Sequence, residues 1–121
     1  MNKKFIVLAL IVLIASVGLV CASETEKIDN CEFTIPDGYH KTNESGSTTF
    51  FANDAGDSFS IEVKTTYYDE LNIFGDPATI GGHEGVIRSY DNGEVSFFYL
   101  EDGNIVTITA SDQSLIETLL S

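Results

Sequence analysis

Residues 86–110, VIRSYDNGEVSFFYLEDGNIVTITA, decide the fold of this 121-residue chain. Two dipeptides, Asn92-Gly93 and Asp102-Gly103, separate runs in which apolar and polar residues alternate. Asn-Gly and Asp-Gly favour the two-residue turns of β-hairpins, because these residues tolerate the positive φ angles that such turns require. The stretch therefore predicts three antiparallel strands in a meander, with Leu100 opposite Ile105 across the second turn.

The same turns predict which side chains form the buried face of the sheet. A two-residue turn at Asn92-Gly93 places Arg88 opposite Phe97. The predicted core face consists of Val86, Arg88, Tyr90, Val95, Phe97, Tyr99, Val106, Ile108 and Ala110. A guanidinium on this face needs a carboxylate, an aromatic ring or a path to the sheet edge. We favour an edge arginine that reaches water over an anion-binding residue.

Further strands and turns are predicted upstream of the meander. Residues 48–52 and 58–65 form two strands, joined by the turn 53–57, and the second strand alternates cleanly between polar and apolar residues. Residues 36–39, Pro-Asp-Gly-Tyr, predict a turn after a short strand. The stretch 41–47 is rich in Thr, Asn, Ser and Gly, and this composition predicts a loop.

Two short helices are predicted to pack on the sheet. Tyr67, Leu71 and Phe74 recur at helical spacing and predict a middle helix from about Tyr67 to Phe74. Near the C-terminus, Ser111 or Asp112 can cap a second helix. Its apolar stripe consists of Leu115, Ile116, Leu119 and Leu120. The whole pattern predicts an α+β fold: a curved antiparallel β-sheet, built as a hairpin meander, packed by the C-terminal helix and the short middle helix.

Residues 1–22 have the order of a secretory signal peptide. Lys3 and Lys4 precede an apolar run from Phe5 to Val20, and small residues then allow cleavage between Ala22 and Ser23. A basic start, an apolar stretch and a cleavage site are the three parts of such a signal.

Two alternatives to cleavage stay open. Residues 5–22 are long enough to form an uncleaved membrane anchor. Alternatively, Cys21 occupies the position of the lipidated cysteine in lipoproteins. All three possibilities place residues 23–121 outside the cytoplasm, either secreted or at the extracellular face of the cell membrane. Residues 23–30 are predicted to be a linker, and residues 31–121 a single domain.

The charge of the exported part excludes several partners. Residues 23–121 hold four basic residues against all 19 acidic ones, a formal net charge of −15. Such a surface repels nucleic-acid phosphates and anionic lipid headgroups. We therefore expect no nucleic acid and no membrane contact beyond the signal segment or a lipid on Cys21. The expected partner is a protein or a component of the cell envelope.

The cysteine and histidine residues give little support for a catalytic or metal site. Cys31 is a small apolar core residue, a bridge between two copies, or a nucleophile with His40, and the first is favoured. His83-Glu84 is a metal-ligand or acid/base candidate, but no zinc-type spacing accompanies it. We therefore assign no catalytic, metal or cofactor-binding residue.

Three acidic turns are candidates for a weak calcium site. They are Asp54-x-x-Asp57, residues 91–94 and residues 101–103. Calcium prefers several carboxylate and carbonyl oxygens, but none of these turns has the alternating aspartates of a known calcium loop. A structural role in the turns explains their Asn, Asp and Gly residues as well.

Two surface features are also candidates. Asn43-Glu44-Ser45 is an N-glycosylation sequon, which is consistent with export. An exposed aromatic patch would draw on Tyr39, Tyr67, Tyr68 and Phe98. Aromatic residues at strand or helix spacing are more often buried, so the core is the favoured place for them.

Three stretches of the chain stand out together: residues 33–39, FTIPDGY, residues 80–85, IGGHEG, and the hairpin 97–110 with the helix start after it. In these stretches the chain resembles, at family level, small exported proteins of methanogenic archaea that have no assigned function. The element order is similar to the PsbP-type α/β/α sandwich. These motifs are turn and core residues, so the resemblance implies a fold, and an accessory or binding role, without an active site.

The sequence therefore favours a non-enzymatic binding or accessory domain outside the cytoplasm. A small extracellular hydrolase and a weak calcium-binding structural module are the alternatives. A polar pocket would favour the hydrolase, while an exposed apolar patch would favour the binding domain.

Overall fold

The computed structural model describes residues 24–67 and 70–121. These residues form nine β-strands and one short α-helix. The elements are β1 (Glu24–Ile28), β2 (Cys31–Ile35), β3 (His40–Ser45), β4 (Thr48–Ala52), β5 (Ser58–Thr65), β6 (Asp76–Ile80), β7 (His83–Ser89), β8 (Val95–Glu101), β9 (Asn104–Ala110) and α1 (Gln113–Leu119).

Seven of the strands form one antiparallel sheet in the order β3-β4-β5-β9-β8-β7-β6. Strand β9 returns to the middle of the sheet and pairs with β5 as well as with β8. Strands β1 and β2 form a separate two-stranded hairpin. The sheet is therefore two meanders joined by one long-range pairing at its centre.

The predicted α+β fold class is wrong. The fold is mostly β, with 57% strand and 7% helix, and the described residues contain no middle helix. In the segment 70–74, exposed residues alternate with half-buried Leu71 and Ile73, which is the period of an extended chain. An apolar pattern over eight residues is too short to distinguish the helical period of 3.6 from the strand period of 2. In the extended segment, Leu71 and Ile73 lie against the sheet.

Two predicted irregular segments are strands. Residues 24–28, expected to belong to a linker, form β1 and pair with β2. The turn between them is Asp29-Asn30, with φ angles of 48° and 71°, which a two-residue primed turn requires. The predicted loop 41–47 contains most of β3 and its turn to β4, since polar residues suit an exposed edge strand.

The register between β8 and β9 is as predicted. Leu100 lies opposite Ile105, and Tyr99 opposite Val106. The two-residue turn Asp102-Gly103 produces this register, and both its residues have positive φ angles, 53° and 80°.

The predicted register between β7 and β8 is wrong by one residue. Arg88 lies opposite Ser96, and Ile87 takes the place opposite Phe97. The loop has three residues, 91–93: the Gly93 N–H donates to the carbonyl of Tyr90 at 3.0 Å, and the Tyr90 N–H donates to the carbonyl of Glu94 at 2.9 Å. Gly93 has a φ of 92°. This is a type I turn with a bulge, and its extra residue turns every side chain of β7 to the other face.

One face of the seven-stranded sheet is buried against β2 and α1. The core consists of Cys31, Phe33, Ile35, Phe51, Phe59, Ile61, Val63, Ile80, Phe97, Tyr99, Val106, Ile108, Ala110, Ile116, Leu119 and Leu120. The predicted C-terminal helix is confirmed. The Asp112 carboxylate accepts a hydrogen bond from the Leu115 N–H at 3.0 Å and caps the N-terminus of α1.

The opposite face, here called the outer face, is partly covered. By register it carries Val86, Arg88, Ser96, Phe98, Leu100, Ile105, Thr107 and Thr109. Most of these residues are half-buried, and the segment 70–74 lies over the Leu100 end. The outer face is therefore where a ligand or partner can meet apolar groups of the sheet.

Candidate functional site

The connection between β5 and β6, described at residues 66–67 and 70–75, is hydrogen-bonded to the rest of the fold at both ends; these residues are called the β5–β6 loop below. At its start, the Thr66 N–H donates to the carbonyl of Gly103 at 3.0 Å. At its end, the carbonyl of Phe74 accepts from Nε of Arg88 at 2.9 Å. These two hydrogen bonds fix the loop to the β8–β9 turn and to β7.

Arg88 has a different role from either predicted one. It lies on the outer face, where its guanidinium carbon is 5.5 Å from the centre of the Phe98 ring. A guanidinium over an aromatic face contributes about 0.5–1 kcal/mol at an exposed site. Together with its bond to Phe74, this contact makes Arg88 the residue that holds the end of the β5–β6 loop on the sheet.

A cavity of about 330 Å³ lies between the β5–β6 loop and the sheet. Its lining is Thr66, Glu70, Leu71, Asn72, Ile73, Leu100 and Ile105. Leu100 and Ile105 face each other across the β8–β9 hairpin, so the sheet side of the cavity is aliphatic. The loop adds a carboxylate, an amide and a hydroxyl. The volume is at the lower end for ligand pockets and suits one apolar side chain or a small molecule.

Two aromatic rings of the loop are almost fully exposed. Tyr67 is 99% exposed and Phe74 is 87% exposed. Each is next in sequence to a residue that lines the cavity, Thr66 in one case and Ile73 in the other. The sequence indicates Tyr67 as a candidate for an exposed patch, but the predicted middle helix, which includes both residues, gives no sign that Phe74 is exposed.

Two other members of the predicted aromatic patch, Tyr39 and Phe98, do not join these two rings. Tyr39 is half-buried, with its ring 5.1 Å from that of Phe59. Phe98 is half-buried beneath Arg88. Tyr68 lies outside the described residues.

A second cluster brings together a thiol, a carboxylate and an imidazole. His83 Nδ1 is 3.5 Å from Oε1 of Glu101, and the His83 ring lies 4.2 Å from the ring of Tyr99. The Cys31 thiol lies close enough to Glu101 for this carboxylate to raise its pKa. The expected pairs, His83 with Glu84 and Cys31 with His40, are thus replaced by a cluster around Glu101. The packing of the β1–β2 hairpin against the seven-stranded sheet brings Cys31 there.

Cys31 is a poor nucleophile in this position. It is 1% exposed, and burial together with the neighbouring Glu101 raises the pKa of its thiol from 9.0 to about 11. Because the thiolate is the reactive form, a thiol with this pKa is almost entirely protonated at neutral pH. Cys31 therefore acts as a small apolar core residue.

Alkaline pH is expected to destabilise the protein through Cys31. The pKa of the thiol is higher in the folded chain, about 11, than its ordinary value of 9.0, so folding favours the protonated form. Its contribution is complete below pH 9 and is lost as the pH rises from 9 to 11. We expect the free energy of unfolding, measured in urea, to fall over this interval, and to fall less steeply in Cys31→Ala. Parallel curves for the two proteins would contradict the raised pKa.

In two of the three acidic turns, an asparagine side chain accepts hydrogen bonds from the backbone of the same turn. Asn53 Oδ1 accepts from the backbone N–H groups of Ala55 and Asp57, at 3.1 and 2.9 Å. Asn92 Oδ1 accepts in the same way from the N–H of Glu94 at 3.0 Å. Within residues 24–67 and 70–121, no three His, Cys, Asp or Glu side chains are grouped to hold a metal ion. Asn53 and Asn92 thus have a structural role in their turns.

The predicted signal segment lies outside the described residues, whereas the sequon lies within them. The predicted cleavage site at Ala22-Ser23 and the lipidation candidate Cys21 lie outside the described residues. In the part of the chain that the structure describes, no helix is both long and apolar enough to cross a membrane. Asn43 is exposed on β3.

The chain was compared with models of protein families, with curated proteins and with solved structures, and none of the three comparisons finds a match.

Proposed function

We propose that this protein is an exported, non-enzymatic binding domain and that the β5–β6 loop is its contact surface. The observation that carries the proposal is the exposure of Tyr67 and Phe74 beside the cavity. Export rests on the signal-like order of residues 1–22.

Exposed aromatic rings are suited to the centre of an interface. Tyrosine and phenylalanine bring a large apolar area that needs few rotatable bonds, and tyrosine is enriched among the residues that dominate binding energy. Loops on a rigid scaffold commonly carry such residues. The β5–β6 loop is attached at both ends, which lowers the entropy lost when a partner binds it.

The charge of the chain favours a protein partner with basic residues around an apolar side chain. The formal net charge of residues 23–121 is −15, from four basic and 19 acidic residues. Complementary charge speeds association and excludes acidic competitors. Glu70 lines the cavity and places a carboxylate beside its aliphatic wall. An apolar side chain of the partner would enter the cavity.

Removal of the two rings is expected to abolish binding. The double substitution Tyr67→Ser and Phe74→Ser leaves the core intact, because both side chains are exposed. Truncated hot-spot residues typically cost 2 kcal/mol or more each, so the loss of both rings is expected to cost about 4 kcal/mol, close to a thousandfold in affinity. The measurement is titration calorimetry with the partner that wild-type residues 23–121 retain from solubilised cell-envelope proteins.

A matched control is Tyr90→Ser. Tyr90 is an aromatic residue that is 38% exposed and lies in the β7–β8 loop. We expect this variant to bind as tightly as wild type. Equal affinity of the double variant and wild type, or a loss confined to Tyr90→Ser, would contradict the proposal.

A further inference from the structure

Strand β3 lies at an edge of the seven-stranded sheet and, among the strands that the structure describes, pairs with β4 alone. All six of its residues, His40–Ser45, are exposed. An exposed edge offers unpaired backbone groups to other chains, and proteins usually protect such edges. The register of β3 shifts between Lys41 and Asn43, which is one such protection.

Asn43 lies directly opposite an exposed aromatic ring. Its register partner on β4 is Phe50, which is 38% exposed. Lys41, on the other side of the register shift, faces buried Phe51 and pairs with Glu44 at 3.0 Å. Asn43 and Phe50 therefore share the outer face, away from this ion pair.

The residues around Asn43 have the sequence that N-glycosylation requires. Asn43-Glu44-Ser45 has a hydroxyl residue two positions after the asparagine and no proline between them. Among the described residues, neither the Asn43 amide nor the Ser45 hydroxyl takes part in a side-chain hydrogen bond. Both groups face solvent and are accessible.

We propose that Asn43 carries an N-linked glycan whose first sugar packs on the ring of Phe50 and covers the β3 edge. The donor is a sugar linked to a polyisoprenyl phosphate, and a membrane transferase of the export route catalyses the step. Nδ2 of Asn43 forms a bond to the anomeric carbon and loses one proton. The bond from that carbon to the phosphate oxygen breaks, and the lipid phosphate leaves.

The contact between the sugar and Phe50 has a simple physical basis. One face of a pyranose ring consists of C–H groups, and packing it on an aromatic ring removes apolar area of both from water. Glycosylation is expected to raise the melting temperature by about 4 °C, as for one aromatic contact in a domain of this size. The inference goes beyond the binding proposal and shares with it only the requirement for export.

Occupancy is tested on the full chain isolated from the cells that produce it. Tryptic cleavage after Lys41 and Lys64 gives a peptide, residues 42–64, that contains this sequon. We expect the mass of this peptide to include a glycan in wild type and in Ser45→Thr. The glycan should be absent in Asn43→Gln and in Ser45→Ala. An unmodified wild-type peptide would overturn the proposal, whatever the outcome for Tyr67 and Phe74.

The packing on Phe50 is tested by a double comparison. The melting temperature of glycosylated protein is compared with that of Asn43→Gln, once with Phe50 present and once in Phe50→Ser. We expect a difference of about 4 °C in the first case and none in the second. The same difference in both cases would overturn the contact with Phe50.

Discussion

Gly85→Ala is expected to lower the free energy of unfolding by about 3 kcal/mol. Gly85 lies in β7 opposite Tyr99, where an added Cβ would overlap the carbonyl oxygen of Phe98 and approach Cε1 of Phe97 to 3.1 Å. The overlapping atom belongs to the backbone of a central strand, so the two strands would have to separate. For a domain of about 100 residues, this loss corresponds to a fall in melting temperature of roughly 15 °C.

Gly82→Ala is the matched control. Gly82 has a φ of 84°, and an added Cβ there meets no atom within 4 Å. Its cost is therefore only that of the left-handed conformation, about 1 kcal/mol. Thermal unfolding of both variants by circular dichroism measures the difference. If Gly85→Ala were no less stable than Gly82→Ala, β7 and β8 would not approach as closely as described.

Phe97→Ala is expected to cost about 3–5 kcal/mol, because it leaves a cavity in the centre of the core. Phe97 is fully buried, with its ring 5.5 Å from that of Tyr99. It lies between Ile87 on β7 and Ile108 on β9, which are its register partners. No other side chain of these strands can fill the space without a shift of the backbone.

The neighbouring residue provides the control for this substitution. Phe98 is the same residue type, lies on the outer face and is half-buried beneath Arg88. We expect Phe98→Ala to cost about 1 kcal/mol, mainly through the lost contact with the guanidinium. Urea unfolding measures the free energy of unfolding of the two variants and so compares the two faces of the sheet. A similar loss of stability in both variants would mean that the sheet is buried on both sides.

The sequence predicts local features of this fold better than long-range ones. Asp102-Gly103 predicts both the hairpin and its register, because both residues of that turn need positive φ angles. Asn92-Gly93 predicts a hairpin but not its register, since the same dipeptide also ends a three-residue loop. The third residue of this loop decides which face of the sheet each side chain of β7 occupies, including that of Arg88.

Other features have no local signal in the sequence. The pairing of β5 with β9 joins residues 39 to 51 positions apart, and no turn specifies it. Asp29-Asn30 was a recognisable primed-turn pair, but the charged residues before it suggested a linker. The cluster of Cys31, His83 and Glu101 depends on three separate hairpins, so no sequence spacing reveals it.

The β5–β6 loop shows why the candidate functional site could not be predicted from the sequence. Tyr67 and Phe74 have a spacing that would bury both rings on one side of a helix. In the structure, the half-buried positions between them are Leu71 and Ile73, and both rings are in solvent. The polar and apolar pattern alone does not distinguish a ring that packs in the core from one that meets a partner.

The central claim, that the β5–β6 loop is the contact surface, is tested most directly by photo-cross-linking in the cells that produce the protein. A benzophenone derivative of phenylalanine replaces Tyr67 in one variant and Tyr90 in the other. We expect one cross-linked protein of defined mass from position 67 and none from position 90. Cross-links from position 90 alone, or from neither position, would contradict the account.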